Sequence, residues 1–426
     1  MRKNVLVFPC GSEIGLEIYR SLHLSTHFQV FGGSSVEDHG AFVYKNYIGN
    51  FPSVMDPDFV DRINKIVDDQ KIDFIIPAHD DVVLKLAQAK ADGRLNCELI
   101  TSDLKTCEIA HSKLKTYEIF KDIIPVPEVY KSSKDIQLFP VFLKPEVGQG
   151  TKGTFKAKDK QDVEFYKAKD PSLLILEYLP GKEYTVDCFT TKDGKLLFAE
   201  GRERTRILNG ISVSSKTVKI RRFNELAEAI NNELKFRGVW FFQVKENKEG
   251  ELVLMEIAPR IAGTMGLVRA RGVNLVLMSL FDAMGIDVSV IENSHETIID
   301  RALENTFKHD IKYNHVYLDF DDLVIFEDKV NPAVMAFVYQ CINKGIKVHL
   351  ITRHKAVLDE TLAKYHLKGV FDEQILVNDD DHKHRYIKEK DSIFIDDSFA
   401  ERKAVHDNCH IPVFDSHMVE SLLEKF

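Results

Sequence analysis

Short apolar runs alternate with amphipathic segments over the first 108 residues. Four runs are apolar enough to predict buried strands, and the segments between them have the apolar spacing of helices. The predicted strands are 5–8, 28–31, 74–76 and 98–100, and the predicted helices are 13–22, 58–67 and 81–86. Strands that alternate with helices predict a parallel, doubly wound sheet, which binds ligands near the carboxyl ends of its strands.

The pattern changes after residue 108. Alternating stretches at 173–176 and 183–189, with turn signals at Gly194 and Gly250, predict antiparallel sheets. A segment with helical spacing follows at 223–234. Residues 109–305 are therefore predicted to form an α+β domain.

From residue 314 the strand and helix pattern of the N-terminal part restarts. The predicted strands are 316–320, 348–352 and 392–395, and the predicted helix is 332–343. Residues 292–313 are polar with few apolar anchors, which is typical of a linker. The expected fold class is α/β and α+β multidomain, with domains at 1–108, 109–305 and 314–426.

Composition narrows the class of protein. The chain has 57 Lys and Arg against 66 Asp and Glu, a net charge of −9, and 44% hydrophobic residues. That balance argues against a broad nucleic-acid-binding surface, and no apolar run approaches the ~20 residues of a membrane span. The six cysteines lack metal-type spacing, so we expect free thiols in a reducing, cytoplasmic compartment.

A glycine-rich loop is the first candidate for chemistry. Gly148, Gly150 and Gly153 satisfy Gly-x-Gly-x-x-Gly, but a predicted strand follows where a dinucleotide site needs a helix. The loop is therefore expected to lie between two strands. Glycines there let backbone N–H groups approach phosphate oxygens, and Lys152 adds positive charge. Lys144 ends the apolar strand before the loop.

Polar residues also stand inside two apolar strands that a turn at Gly250 joins. They are Gln243 and Glu256. Buried polar groups cost free energy unless they are paired. A divalent cation bound to nucleotide phosphates would pair them, since Mg²⁺ prefers such oxygen ligands.

Taken together, these residues resemble the ATP-grasp superfamily. Its motifs correspond in order to Lys113, Lys144, the loop 148–153, Glu177 with Glu183, and the run 256–260. The similarity spans residues 1–305 and is greatest to the carbamoyl-phosphate-synthetase-like and biotin-carboxylase-like carboxylate-amine ligases. It implies a Rossmann-like pre-ATP-grasp domain at 1–108, an ATP-grasp fold at 109–305 with a lid at about 125–190, and ATP with Mg²⁺ or Mn²⁺ as cofactors.

The resemblance also implies a role for each residue of the site. The phosphates are held by Lys113, Lys144, Gly148, Gly150, Lys152 and Gly153. Adenine is read by Glu177, Tyr178 and Leu179, and ribose by Glu183. Mg²⁺ is bound by Gln243 and Glu256, and the transferred phosphate or acyl phosphate is steadied by Arg260. Ala258 stands where the superfamily usually has Asn, so one-metal and two-metal sites both stay open.

The implied chemistry activates a carboxylate. ATP converts the carboxylate to an acyl phosphate, which an amine then attacks to give an amide. Arg202, Arg204 and Arg206 alternate along a predicted strand, so they would share a face. Arg204 and Arg206 are our candidates for binding the substrate carboxylate. A charged strand in solvent is the alternative interpretation.

Carboxylates gather at the strand ends of the C-terminal domain. Asp319 lies near the end of its first predicted strand and Asp321 directly after it, Thr352 ends the second, and Asp396 and Asp397 follow the third. Parallel strands bring these ends to one edge of the sheet. Crowded carboxylates repel each other, so a cation or a shared proton is expected among them.

This arrangement resembles the haloacid-dehalogenase-like (HAD) phosphatases over residues 315–426. The resemblance implies a nucleophile at Asp319, a general acid/base at Asp321, a phosphate-binding hydroxyl at Thr352 and a motif lysine at Lys383, with Lys388 as the alternative. It implies Mg²⁺ ligands at Asp319, Asp321, Asp396 and Asp397. About 25 residues separate the first two motifs, which leaves room for one helix and no cap domain. Leu323 departs from the usual Thr or Val, and a docking module with vestigial carboxylates is the alternative.

Three functional hypotheses follow. The first is a carboxylate-amine ligase fused to a Mg²⁺-dependent phosphatase, acting on a small-molecule carboxylate, an amine and a phosphorylated small molecule. The second is a carbamoyl-phosphate-synthase-like enzyme or carboxylate kinase without an amine acceptor. The third is a non-catalytic nucleotide-sensing scaffold. None of them involves a nucleic acid or a membrane, and a homodimer stays open.

Overall fold

The chain divides into two compact units, with the boundary between Leu303 and Glu304. The computed structural model describes residues 2–148 and 150–424. Gln149 of the glycine loop lies outside the described residues, as do residues 1, 425 and 426 at the ends of the predicted domains. We call 1–303 unit 1 and 304–426 unit 2.

The N-terminal part of unit 1 is the parallel, doubly wound sheet that the sequence predicts. Its elements are β1 (Lys3–Phe8), α1 (Glu13–Leu22), β2 (Phe28–Gly33), α2 (Gly40–Val43), β3 (Asn46–Ile48), α3 (Phe59–Gln70), β4 (Phe74–Pro77), α4 (Asp80–Ala91) and β5 (Glu98–Leu99). The strand order is β3-β2-β1-β4-β5. Ser12 caps α1 by accepting a hydrogen bond from the backbone N–H of Gly15 at 3.1 Å. The cap places Ser12 at the carboxyl edge of the sheet.

A small antiparallel sheet lies where the resemblance predicts a lid, and we call it the lid sheet. Two helices, α5 (Leu104–His111) and α6 (Lys113–Phe120), precede it. Its elements are β6 (Val129–Tyr130), β7 (Val141–Lys144), β8 (Phe155–Ala157), α7 (Lys160–Lys169) and β9 (Leu174–Glu177), with strand order β6-β9-β7-β8. The glycine loop joins β7 to β8, as expected. The predicted lid of about 125–190 is too long, because residues 183–190 pair with the central sheet instead.

The central sheet of unit 1 is antiparallel and has the order β14-β13-β10-β11-β12-β15. Its elements are β10 (Glu183–Thr190), β11 (Leu196–Leu208), β12 (Ile211–Val218), α8 (Arg221–Glu233), β13 (Gly238–Glu246), β14 (Leu252–Ala258), α9 (Gly266–Ala270), α10 (Leu275–Ala283) and β15 (Ile298–Asp300). The linker predicted at 292–313 is therefore wrong in part, since β15 pairs with β12.

One hydrophobic core joins the N-terminal sheet to the central sheet. Val5 and Val7 of β1 share a buried cluster with Phe241 of β13, Val268 of α9 and Leu280 of α10. Burying apolar side chains is the main favourable term in folding. This shared core explains why the two predicted domains at 1–108 and 109–305 form one unit.

Unit 2 contains a five-stranded parallel sheet with the order β20-β19-β16-β21-β22. Its strands and helices are β16 (His315–Leu318), β17 (Ile325–Phe326), β18 (Lys329–Val330), α11 (Pro332–Asn343), β19 (Lys347–Thr352), α12 (Leu358–Lys364), β20 (Glu373–Leu376), β21 (Ser392–Ile395), α13 (Phe399–Cys409) and β22 (Val413–Phe414). Short 3₁₀ helices lie at Lys383–Tyr386 and Ser416–Leu422. None of the described helices is long and apolar enough to cross a membrane.

Candidate functional site

A cavity of about 460 Å³ lies in unit 1, between the carboxyl edge of the N-terminal sheet, the glycine loop and the central sheet. The N-terminal sheet contributes Ser12 and Glu13 after β1, and His79 and Asp80 after β4. The predicted site residues that line the cavity are Lys113, Gly148, Gly150, Lys152, Arg204, Gln243, Glu256 and Arg260. Residues separated by more than a hundred positions in sequence thus meet around one space.

The two predicted metal ligands lie side by side. Gln243 of β13 and Glu256 of β14 are register partners in the antiparallel pair, and both line the cavity. The Oε1 atom of Gln243 accepts a hydrogen bond from Arg204 Nη1 at 2.7 Å. Ala258 also lines the cavity and offers no side-chain oxygen. The pair Gln243 and Glu256 therefore supplies the neighbouring oxygens that a hard divalent cation needs.

Two lysines bring positive charge close to these oxygens. Lys144 is buried at the end of β7, and burial lowers its pKa to about 8 although Glu256 and Glu183 oppose the shift. Burial also lowers the pKa of Lys113, again against the charge of Glu256. Lys144 Nζ donates to the carbonyl of Met255 at 3.5 Å, and this hydrogen-bond partner is neutral. Ammonium groups in such surroundings are suited to pair with an anion.

The glycine loop is contacted at two points. Lys113 Nζ donates to the carbonyl of Gly148 at 2.9 Å. At the other side, Gly210 in the β11–β12 turn packs so closely that an added Cβ would lie 2.4 Å from the backbone N of Thr151. The sequence analysis missed this contact with the β11–β12 turn. Gly153 has a φ of +71°, a conformation that favours glycine.

The residues predicted to read adenine lie where the chain passes from the lid sheet to the central sheet. Glu177 ends β9, and burial raises the pKa of its carboxyl group. Lys156 Nζ lies 4.0 Å from the ring centroid of Tyr178, and Leu179 is buried. Their predicted role stays a prediction.

Glu183, the predicted ribose ligand, already forms ion pairs with two cations. It contacts Arg204 Nη1, and its Oε2 lies 3.5 Å from Lys245 Nζ. Arg204 therefore bridges Glu183 and Gln243, and its Nη2 donates to the carbonyl of Gly210 at 2.7 Å. Arg204 lines the cavity, but its guanidinium N–H groups already donate hydrogen bonds to Glu183, Gln243 and the carbonyl of Gly210.

Arg206 is not part of this cavity wall, contrary to the predicted shared face. Its side chain is 61% exposed and pairs with Asp300 at 2.7 Å. The reason is a register irregularity between Arg204 and Arg206 in the pairing of β11 with β12. A bulge breaks the two-residue alternation that the shared face requires. Arg202, in contrast, does line the cavity.

Arg260 is fixed by a carboxylate that the sequence analysis missed. It forms a two-point ion pair with Asp80, with Nη2 to Oδ2 at 2.8 Å. Burial would raise the pKa of Asp80, but the charge and hydrogen bonds of Arg260 outweigh burial and lower it. The signal available in the sequence was the position of Asp80, which comes three residues after the end of the apolar strand 74–77, at the carboxyl edge of a parallel sheet.

Arg301 is a second missed residue. It follows β15, lines the cavity and donates from Nη1 to the carbonyl of Ser212 at 3.2 Å. The sequence analysis placed it in a linker. The apolar pair at 298–299, just before it, was the only sign of a strand there.

We expect Arg202→Ala to destabilise unit 1 strongly. Arg202 and Asp187 are both buried and joined by two contacts, Nε to Oδ2 at 2.7 Å and Nη2 to Oδ1 at 3.1 Å. Removing the arginine leaves a buried carboxylate unpaired, which typically costs about 3–5 kcal/mol. The free energy of unfolding is measurable through Trp240, the single tryptophan of the chain.

The matched control is Arg222→Ala, whose ion pair with Glu225 is exposed. An exposed pair contributes only about 0–1 kcal/mol. Equal loss of stability in the two variants would contradict the assignment of Arg202 and Asp187 as a buried pair.

Unit 2 contains a separate cluster at the carboxyl edge of its sheet. Lys383 Nζ lies 2.9 Å from Asp319 Oδ1 and 2.6 Å from Asp396 Oδ2. Burial, together with the charge of Asp396, raises the pKa of Asp319 to about 7 although Lys383 opposes the shift. Asp319, Asp396 and Asp397 each offer an oxygen within 4.8 Å of the others. The structure thus places Lys383, rather than Lys388, beside the carboxylates.

Asp321 lies apart from the three clustered carboxylates. Its oxygens are both 3.0 Å from His354 Nδ1, and Thr352 Oγ1 is 3.5 Å from Oδ2. The side chain of Asp321 is therefore a partner of His354 and Thr352, and not of the metal-type cluster predicted for it. The residue after Asp321, Asp322, has a φ of +58°, so the chain turns sharply here. Leu323 is fully buried.

Comparisons with known proteins show which fold the chain resembles. A family model described as "ATP-grasp in the biosynthetic pathway with Ter operon" matches residues 169–305. No match was found among curated proteins.

Solved structures give a longer match. The biotin carboxylase domain of 2-oxoglutarate carboxylase from Hydrogenobacter thermophilus, solved with MgADP, ADP and bicarbonate, is 16% identical, with a TM-score of 0.59 over 70% of this chain and 74% of that chain. N5-carboxyaminoimidazole synthetase from Staphylococcus aureus, solved with ADP, is 17% identical, with a TM-score of 0.58 over 71% and 82% of the two chains.

Carboxyaminoimidazole ribonucleotide synthase from Aspergillus clavatus, solved with ATP, is 17% identical, with a TM-score of 0.57 over 70% of this chain and 81% of that chain. The chain contains an ATP-grasp fold. The ATP-grasp family match includes the strands that carry Arg204, Gln243 and Glu256 and the run that ends in Arg260.

Proposed function

We propose that unit 1 is an ATP-dependent carboxylate-amine ligase that works through an acyl phosphate. The observation that carries this proposal is the cavity in which Lys113, Gln243, Glu256 and Arg260 meet the carboxyl edge of a parallel sheet. The proposed domains are a pre-ATP-grasp domain at 1–108 and an ATP-grasp domain at 109–305. The test is ADP release that requires both a carboxylate and an amine.

The residues present fit ATP and Mg²⁺. The ammonium groups of Lys113 and Lys144 donate hydrogen bonds to backbone carbonyls, which carry no net charge, so a polyphosphate would supply the negative charge that their burial demands. Glu256 and Gln243 would hold Mg²⁺ or Mn²⁺, which neutralises charge on the phosphates. The structural neighbours solved with ADP, ATP or MgADP support this fit.

The proposed reaction has two balanced steps. A carboxylate oxygen of the substrate attacks the γ-phosphorus of ATP, and the bond from that phosphorus to ADP breaks, which gives an acyl phosphate. The amine nitrogen then attacks the acyl carbon and expels phosphate, and the nitrogen loses a proton as the amide forms. Arg260, held in place by Asp80, would stabilise negative charge on the phosphoryl group in both steps.

We expect nucleotide affinity to fall as the pH rises above about 8. Burial lowers the pKa of Lys144 to about 8, so the charged form that pairs with phosphate is lost as the pH rises through that value. Because bound phosphate favours the charged form, the Kd for ADP should rise by up to about tenfold for each further pH unit.

The measurement is the Kd for ADP between about pH 7 and pH 9.5, with Lys144→Arg as the control, because Arg stays charged throughout this range. The control should give a flatter profile. A wild-type Kd that does not change with pH would contradict the role of Lys144.

For unit 2 we propose a Mg²⁺-dependent HAD-type phosphatase, and the Asp319, Lys383, Asp396 and Asp397 cluster supports it. A carboxylate oxygen of Asp319 would attack phosphorus and displace the alcohol, which takes a proton from Asp321. Water would then hydrolyse the aspartyl phosphate. The segment between β16 and β19 holds the β17–β18 hairpin and α11. The absence of a cap domain stays a prediction.

The proposed partners are a small-molecule carboxylate, an amine and a phosphorylated small molecule. The Hydrogenobacter thermophilus domain was solved as a dimer, and a homodimer of this chain stays a proposal. A cytoplasmic location also stays a prediction.

A further inference from the structure

A second group of candidate metal ligands lies in unit 2, at the edge of its sheet opposite Asp319. It consists of His315, Glu389 and Asp391, which each offer one ligand atom within 4.8 Å of the others. His315 begins β16, and Asp391 immediately precedes β21, the strand next to it. We propose that these three residues form a site for Zn²⁺ or a similar transition-metal ion, separate from the proposed Mg²⁺ site.

The hydrogen bonds behind His315 determine which of its ring nitrogens is free. Nδ1 of His349 lies 2.8 Å from a carboxylate oxygen of Glu373, so this nitrogen carries a proton and donates it. In neutral His349, Nε2 is then the acceptor, and Nδ1 of His315 lies 2.9 Å from it. Nδ1 of His315 must therefore donate, which leaves Nε2 of neutral His315 unprotonated. That tautomer binds a metal ion.

The relay that supports His315 is itself held in place. The rings of His349 and Tyr317 are stacked, with their centroids 4.5 Å apart. Metal-bound histidines usually donate their second ring N–H to a carboxylate, a backbone carbonyl or water, which orients the ring and makes the ligating nitrogen more basic. Here His349 takes the place of that partner and connects His315 to the carboxylate of Glu373.

Asp391 is supported in a similar way. Its Oδ2 accepts a hydrogen bond from Asn314 Nδ2 at 2.8 Å, which leaves Oδ1 for a metal ion. The carbonyl of Asp391 accepts the backbone N–H groups of Asn314 and His315 at 2.8 and 3.3 Å. The backbones that carry two of the three ligands are therefore bonded directly to each other, and they keep their spacing.

The donor types favour a transition-metal ion. With bonds of about 2.1 Å, ligand atoms around a tetrahedral Zn²⁺ lie about 3.4 Å apart. Since the three ligand atoms lie within 4.8 Å of one another, side-chain movements of at most about 1 Å close the site. Glu389 and Asp391 are exposed. One imidazole with two carboxylates suits Zn²⁺, Co²⁺ or Ni²⁺, whereas Mg²⁺ prefers oxygen ligands alone.

The test is a Co²⁺ titration of the full-length protein, stripped of metal by a chelator and kept in excess Mg²⁺, with visible absorption as the readout. We expect wild type to bind one Co²⁺ ion through this site in the presence of Mg²⁺, and Zn²⁺ to displace it. His315→Gln and Asp391→Asn should each abolish this binding. His406→Gln, which removes an exposed histidine of α13, is the matched control and should bind as wild type does.

A third variant tests the relay. His349→Phe keeps a ring against Tyr317 but removes the acceptor for His315, so Co²⁺ affinity should fall by about 10- to 100-fold. Three results would each overturn the proposal: a wild type that binds no Co²⁺ in excess Mg²⁺, unchanged binding in either ligand variant, or unchanged affinity in His349→Phe.

Discussion

Lys144→Met is expected to lower the rate of ATP turnover by at least about a hundredfold, the loss seen when one preorganised charge-stabilising donor is removed from an active site. Methionine keeps the length and apolar stem of the side chain and removes only the ammonium group. Lys144 is buried at the end of β7, close to the charge of Glu256, so no solvent-exposed cation can replace it. The measurement is kcat/KM for ATP from ADP release.

The control for this variant is Lys134→Met, at an exposed lysine of the lid. It should leave ATP turnover unchanged. Glu256→Ala should lower turnover as Lys144→Met does, since it removes a proposed Mg²⁺ ligand. Normal turnover in Glu256→Ala would show that the cavity, which Glu256 lines, is not the ATP site. Normal turnover in Lys144→Met would contradict the role proposed for Lys144.

Asp319→Asn is expected to lower hydrolysis of p-nitrophenyl phosphate by at least about a thousandfold, because it removes the proposed nucleophile. Asparagine matches aspartate in shape but cannot attack phosphorus, and it also weakens the proposed metal cluster. The pKa of Asp319 is raised to about 7 by burial and by Asp396. Replacing this buried carboxylate with a neutral amide should therefore be tolerated by the fold.

Two further measurements make the Asp319→Asn result specific. ADP release by unit 1 should be unchanged in the variant, and Asp380→Asn, at an exposed carboxylate, should keep full phosphatase activity. Full hydrolysis by Asp319→Asn would contradict the phosphatase proposal. Loss of both activities would show that the two sites are coupled.

Elements whose apolar pattern reflects local burial could be predicted from the sequence. Helix α1 was predicted with its correct bounds because one apolar face packs on the sheet and Ser12 caps its first turn. The pairing of Gln243 with Glu256 could also be anticipated, since a turn at Gly250 joins their strands. Motif order then placed Lys113 and Arg260 at the same cavity.

Features set by long-range pairing could not be predicted. The side chain of Arg206 does not line the cavity because the pairing of β11 with β12 is irregular between Arg204 and Arg206. No residue type in the sequence predicts this irregularity. β15 is three residues long and exposed at two of them, so its apolar signal is weak, and Arg301 was assigned to a linker. Asp80 is fixed by Arg260, 180 positions away in the chain, and only the fold brings them together.

The most direct test of the central claim is ADP release by the full-length protein against a matrix of carboxylates and amines, with mass detection of products. The account predicts that at least one pair gives ADP, phosphate and an amide with the mass of the two substrates less one water. It also predicts that omitting either the carboxylate or the amine suppresses amide formation. ADP release that needs a carboxylate but is indifferent to every amine, with no amide formed, would contradict the ligase assignment.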